Sequence, residues 1–217
     1  YDDNFCYLIW DETSLKGAII DPSVNPDLIF KFISNNNIEL SKILITHTHY
    51  DHIANLKDFL DLYPQIDIYA YKHTRYQFTD NFKGINHKDK ILLGSLVLIA
   101  LYTPGHYDDC ICYWNSNEKI IFTGDTVFVG RSGRTINNYS DISMLYNSIY
   151  DIILKLPKSN IIYPGHDYGD TPSISIEDNI NSSPFFSCNS EKEFIAVMKE
   201  FESNRWFFNI IDYLVDK

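Results

Sequence analysis

The sequence predicts an α/β fold, a β-sheet core covered by helices. Three observations point there. In the first half, short apolar runs rich in β-branched and aromatic residues alternate with stretches of helical period. From residue 91 the character turns strand-rich, with runs joined by Gly, Asn and Ser turns. No internal repeat is visible and no linker splits the chain. With 217 residues and 45% hydrophobic content, the chain can bury a substantial core as one domain, or as one domain with a small appendage.

The elements follow in order. "FCYLIW" (5–10) and "GAIID" (17–21) flank the polar turn "DETSLK", a hairpin signal. "PDLIFKFISNN" (26–36) opens on a proline and spaces Leu28, Ile29, Phe32 and Ile33 along one helical face. "KILIT" (42–46) reads as a short buried strand, and Ile53, Leu56, Phe59 and Leu60 as the next helix. "IDIYA" (66–70) alternates like a strand, whereas 71–90 is polar and carries no clear element. "SLVLIALYT" (95–103), "CICYW" (110–114) and "KIIFTG" (119–124) are further strands. "DISMLYNSIYDIILKL" (141–156) reads as a helix ended by Pro157, and "NIIYPG" (160–165) as one more strand. Residues 191–203 form an amphipathic helix, and the aromatic "RWFFNIIDYLV" that closes the chain is expected to dock on the body or on a partner.

Composition excludes some functions. A formal charge of −11 argues against binding a nucleic-acid backbone, which relies on Lys and Arg. No apolar run approaches the roughly 20 residues of a membrane span. Cys6, Cys110, Cys112 and Cys188 form no CxxC pair and read as buried free thiols, which fits a reducing compartment. The chain opens at Tyr1, as a processed piece would, so the expected location is the cytoplasm or an organelle lumen after removal of a targeting segment.

The chemistry concentrates at strand ends. The chain has 7 histidines, and "THTHYDH" (46–52) holds His47, His49 and His52 beside Asp51, directly after "KILI". His106 follows the strand 95–103 past a Pro-Gly turn, Asp125 follows 119–122 past a glycine, and His166 follows 160–163 past another Pro-Gly. If these strand ends share one edge, five histidines and two carboxylates converge there, a donor set suited to zinc or iron rather than calcium or magnesium. His47 and His49 point to one side if the strand continues, while Asp51 and His52 turn away as the next helix starts, which splits the motif between two metals. His73 and His87 lack such settings.

"HTHYDH" followed by His106, Asp125 and His166 resembles the metallo-β-lactamase fold hydrolases over nearly the whole chain. Within that superfamily, "DNFCYLIWDETSLKGAIIDP", "TPGHYDDCICYW" and "FTGDTVFVG" look like glyoxalase II, the hydroxyacylglutathione hydrolase. The resemblance implies an αββα sandwich with a short C-terminal helical tail: a catalytic domain over 1–180 and a helical extension over 181–217 packed on it. It also implies two divalent ions, zinc, iron or a mixed pair. His47, His49 and His106 would hold one, Asp51, His52 and His166 the other, and Asp125 would bridge them. The implied reaction is hydrolysis of a glutathione thioester of the S-lactoylglutathione type by a metal-bound hydroxide, with Asp51 and Asp125 catalytic. A thiolate, its conjugate acid near pKa of about 8.5, leaves without a strong general acid. Arg134, in "GRSGRT" (130–135), and Tyr168, in "HDYG", match substrate-binding positions for a small glutathione conjugate, while Arg131 is open between that role and plain surface charge.

The second half departs from glyoxalase II. "HDYGDTPSISIEDNINSSPFF" runs on with no helical insertion, and Ser187 stands where a basic residue is expected. "GRT", "LYNSIYDIILKLP", "YPGHDYG" and the short tail are similar to the persulfide dioxygenases of the same superfamily. That alternative implies a single iron on His47, His106 and Asp125 and oxidation of glutathione persulfide.

Overall fold

A computed structural model describes the backbone of residues 3–215 and the side chains of residues 3–203. The first sheet orders its strands β1 (Tyr7–Trp10), β2 (Lys16–Ile20), β3 (Glu39–Leu44), β4 (Asp67–Tyr71) and β5 (Phe82–Ile85). β1 and β2 form the expected antiparallel hairpin, and the next three strands add in parallel. The crossovers between them carry α1 (Asp27–Asn35) and α2 (Leu56–Leu62). The second sheet contains β6 (Lys90–Leu93), β7 (Leu96–Tyr102), β8 (Ile111–Asn115), β9 (Ile120–Gly124), β10 (Ile161–Pro164) and β11 (Ile174–Ser175). Four of its strands meander antiparallel from β6 to β9. β10 then pairs parallel to β9, and the crossover between them holds α3 (Ile142–Asn147). α4 (Ile176–Ser182) and α5 (Glu191–Val215) follow.

Side-chain alternation along the strands stacks these layers. Ala18, Ile20 and Leu44 meet Leu98, Ala100, Ile111, Tyr113 and Phe122 between the two sheets. The intervening residues of the first sheet, Ile19, Ile43 and Ile68, face Ile33 of α1 and Phe59 of α2. On the far side of the second sheet, Leu101, Cys112, Ile121 and Ile162 pack on Leu145 of α3 and on Phe194 and Met198 of α5. The result is four layers, helices–sheet–sheet–helices.

Several local expectations shift. α1 buries Ile33 but exposes Leu28 (76%) and Phe32 (44%). Its inward face is Ile29, Phe30 and Ile33, because the Phe30 ring fills the space at Phe59 and Tyr63, with centroids 5.0 and 5.9 Å away. β3 ends at Leu44 rather than at residue 46, since the Thr46 N–H donates to Asp21 Oδ1 (2.7 Å) instead of to a strand. The polar stretch 71–90 hides β5, an edge strand that buries only Ile85 and so lacks an apolar signature. The helix expected over 141–156 is regular only to Asn147. It then widens into a π-turn (Ser148–Ile152) and tightens into a 3₁₀ turn (Ile153–Lys155), where Ser148 Oγ donates to Pro104 O (2.7 Å). Cys110 and Cys112 are buried free thiols, whereas Cys6 and Cys188 are free but partly exposed. The helix expected at 191–203 runs on to Val215, and the docking expected of the side chains in 205–215 lies outside the described residues. Among the described residues no helix is long and apolar enough to cross a membrane.

Candidate metal centre

The strand ends do share one edge. β3 delivers the segment 46–52, β7 delivers His106, β9 delivers Asp125 and β10 delivers His166. Two glycines make the approach possible. Gly124 has φ +49°, and a Cβ there would lie 2.4 Å from Thr46 Oγ1. A Cβ on Gly165 would lie 2.4 Å from Asp125 Oδ1 and 2.7 Å from His52 Cε1, so only a bare backbone fits behind these side chains.

All seven predicted ligand residues converge. His47 Nε2 lies 2.9 Å from His49 Nδ1, which lies 3.0 Å from His106 Nε2. Asp51 Oδ2 is 3.4 Å from His52 Nε2 and 3.3 Å from His166 Nε2. Asp125 reaches both sets: its Oδ2 is 3.4 Å from His106 Nε2 and 3.4 Å from His166 Nε2, and its Oδ1 is 3.1 Å from His52 Nε2. Three trios bring their ligand atoms within 4.8 Å of one another: His47–His49–His106, His47–His52–Asp125 and Asp51–His52–His166. The division of the first motif is therefore less clean than its spacing implied, since His47 stands in two trios. Its ring centroid is 4.0 Å from that of His52. Tyr50–His52 form a single 3₁₀ turn ahead of α2.

Electrostatics separates the two sets. Burial, reinforced by neighbouring imidazoles, pushes His47 and His106 down and His49 down to about 4, leaving three neutral rings with lone pairs to offer. Burial opposes a proton on His52, but the charges of Asp125 and Asp21 hold it well above the ordinary imidazole range. Burial likewise opposes a proton on His166, yet hydrogen bonds to Asp125 and Asp51 keep it up, at about 9. For the two carboxyls burial favours the neutral acid. It is outweighed at Asp125 by His52 and His166, and at Asp51 by His166, His52 and the Asn4 amide, so both stay well below the usual carboxylate range.

This donor set fits a bound cation. His52 Nε2 and Asp125 Oδ1 are buried atoms with no hydrogen-bond partner among the described residues, although they face each other. Leaving such atoms unsatisfied costs about 1–3 kcal/mol each, and a divalent ion between them removes that cost. Imidazole and carboxylate ligands at a strand edge are the metal site typical of this architecture, and they suit zinc or iron.

A supporting shell orients the ligands. Asp21 Oδ2 lies 2.8 Å from His52 Nδ1 and accepts from Thr46 Oγ1 (2.6 Å), which turns the His52 Nε2 toward the site. His106 Nδ1 lies 2.8 Å from Arg134 O, with the same effect on its Nε2. The Asn4 Nδ2–H donates to Asp51 Oδ2 (2.9 Å). Asp109 accepts from the Thr48 N–H (3.2 Å), Thr48 Oγ1 (2.6 Å) and Thr74 Oγ1 (2.7 Å), fixing the segment between His47 and His49. Sequence reasoning missed Asp21, Asn4 and Asp109. Asp21 carried a usable signal, an acid directly after the apolar run "GAII", as Asp125 follows "IIFTG".

A cavity of about 440 Å³ opens over the ligands, and Arg131, Arg134, Tyr168, Phe128 and Phe201 are among its walls. The Tyr168 ring stacks on His166 (centroids 4.6 Å, 3° between planes), and the Arg131 guanidinium lies 4.2 Å from the Tyr168 ring centroid. Both expected substrate contacts, Arg134 and Tyr168, thus reach the cavity, and Arg131 joins them there. His73 and His87 lie in none of the trios.

Known proteins are similar to this chain in sequence and fold. The family described as the metallo-beta-lactamase superfamily matches residues 2–166, a span that includes every ligand candidate. A hydroxyacylglutathione hydrolase of Francisella tularensis subsp. novicida is 39% identical over 168 residues, covering 76% of this chain and 63% of that protein. The chain therefore spans less than two thirds of the length of that relative. "Probable polyketide biosynthesis zinc-dependent hydrolase BaeB" of Bacillus velezensis is 31% identical over 195 residues, 88% of this chain and 85% of that one. The crystal structure of ETHE1 from Myxococcus xanthus superposes with a TM-score of 0.82 at 30% identity, covering 92% of this chain and 87% of that chain. Four layers, ligands delivered from strand ends to one edge and the matched span agree: this chain belongs to the metallo-beta-lactamase superfamily.

Proposed function

We propose that the chain is a metal-dependent thioesterase that hydrolyses a glutathione thioester of the S-lactoylglutathione type. Residues 1–180 form its catalytic unit and 181–217 a helical extension. The observation that carries this reading is the pairing of two ligand sets through Asp125 beneath a cavity walled by two arginines. In this reading His47, His49 and His106 hold one divalent ion, and Asp51, His52 and His166 the other. Asp125 serves both. Divalent ions held by these residues would lower the pKa of a water and supply positive charge for an acyl oxygen.

The chain's own groups supply the rest. Asp51, on the cavity wall and steadied by the Asn4 amide, orients the attacking water by accepting its hydrogen bond. Water adds its oxygen to the acyl carbon and the C–S bond breaks; one of its protons ends on the departing thiolate and the other passes to solvent, giving a carboxylate and glutathione. The thiolate needs no dedicated acid to depart. Arg134 and Arg131 suit the glutathione carboxylates through paired N–H donors, and Tyr168, in contact with both His166 and Arg131, borders the same space.

One observation favours a second reading, oxidation of glutathione persulfide at a single iron on His47, His106 and Asp125. The segments "GRT", "LYNSIYDIILKLP" and "YPGHDYG" resemble the persulfide dioxygenases of the superfamily. A single preparation tests both. Loss of S-lactoylglutathione without oxygen uptake supports the hydrolase. Oxygen consumption with glutathione persulfide, and an inert thioester, overturns it in favour of the dioxygenase.

A further inference from the structure

One wall of the cavity comes from neither sheet nor strand-end loop. Phe201 of α5 lines it, packed perpendicular to Phe185 (centroids 5.3 Å, 90°). Both cavity arginines lie over its ring, Arg131 at 5.7 Å and Arg134 at 5.7 Å from the centroid. The neighbouring residues of α5 hold the loop that carries them. Glu202 Oε1 accepts from the Thr135 N–H (2.6 Å) and from Thr135 Oγ1 (3.1 Å), and Met198 Sδ accepts from Ser132 Oγ (3.1 Å). Met198, Phe201 and Glu202 are spaced i, i+3, i+4, so one face of the helix contacts Arg131, Ser132, Arg134 and Thr135.

The charge pattern gives this face a purpose. In a chain with a formal charge of −11, the two guanidiniums concentrate positive charge on the side of the cavity that α5 supports. A guanidinium laid on an aromatic ring keeps its plane, and so loses less freedom when it meets a carboxylate.

We propose that Phe201 is a positioning residue that sets the plane of Arg134 and, together with the nearer Tyr168 ring, that of Arg131, so that α5 builds the anion-recognition wall for an acidic thiol conjugate. This rests on the thioester reading for its substrate class and stands apart from it in its test. Phe201 acts through the arginines, with no part in the bond-breaking step.

The test compares binding of S-hexylglutathione, a thioether that cannot be hydrolysed, with binding of its dicarboxyl ester, by calorimetry. The wild-type protein is expected to prefer the diacid by about tenfold or more. Phe201→Leu keeps apolar volume and is expected to weaken the diacid about tenfold while moving the ester by less than about twofold. Phe201→Tyr, which keeps the ring, restores the preference. With a glutathione thioester, Phe201→Leu raises KM by the same factor and leaves kcat within about twofold. In an Arg134→Ala background the Phe201→Leu loss shrinks to about twofold, because the two residues act as a unit. Equal weakening of diacid and ester, or fully additive losses, overturns the proposal. If the wild type shows this binding pattern yet leaves thioesters intact, the positioning role is supported and the hydrolase reading is the one contradicted.

Discussion

Removing the Asp125 carboxylate takes an oxygen from both ligand sets at once, since it faces His106 on one side and His52 and His166 on the other. Asp125→Ala is expected to abolish both metal retention and turnover, read by elemental analysis and by thioester assay. A fully active variant contradicts the bridging role. Asp21 is expected to act more locally. It touches His52 and Thr46, and no other ligand candidate, so Asp21→Ala is expected to cost about 10–100-fold in affinity for one ion of the pair. Chelator competition would show a single weakened site; two equally weakened sites would contradict this. At this scale the sequence pointed to the ligand candidates that converge and was silent about their supports. "THTHYDH" and the three strand-end turns have no ordinary structural use, so they stand out. The Asn4 amide reaches Asp51 across 47 positions of chain, a contact that local pattern cannot encode.

Among the elements, α5 couples fold to site. Its Phe194 is fully buried against Leu145 and Ile149, and its ring lies 5.7 Å from that of Tyr146. Phe194→Ala is expected to destabilise the protein by about 3–5 kcal/mol in denaturant unfolding, by loss of apolar burial and an unfilled cavity. A change below about 1 kcal/mol would mean that the helix is not anchored there. Strands with continuous apolar runs, such as β7 and the start of β9, were legible because both of their faces are covered. β5 was not, because an edge strand with one buried residue reads as loop. The helical period of α1 was also visible, but the choice between Phe30 and Phe32 as the inward ring depends on the distant Phe59 and Tyr63.

For the whole molecule, the layering of two sheets between helices places four strand ends on one edge, and the meeting of the ligand candidates follows from that topology. The sheet core and its helical cover were legible in the alternation of the chain. The wall that α5 gives the cavity was not, since a helix-to-loop contact between Phe201 and Arg131 leaves no periodic trace. The central claim, two ions held by two adjoining ligand sets, is tested most directly by native mass spectrometry of the chain loaded with zinc. Two ions per chain are expected, one for each set around Asp125. A chain that takes up one ion and refuses a second in excess zinc would contradict the account.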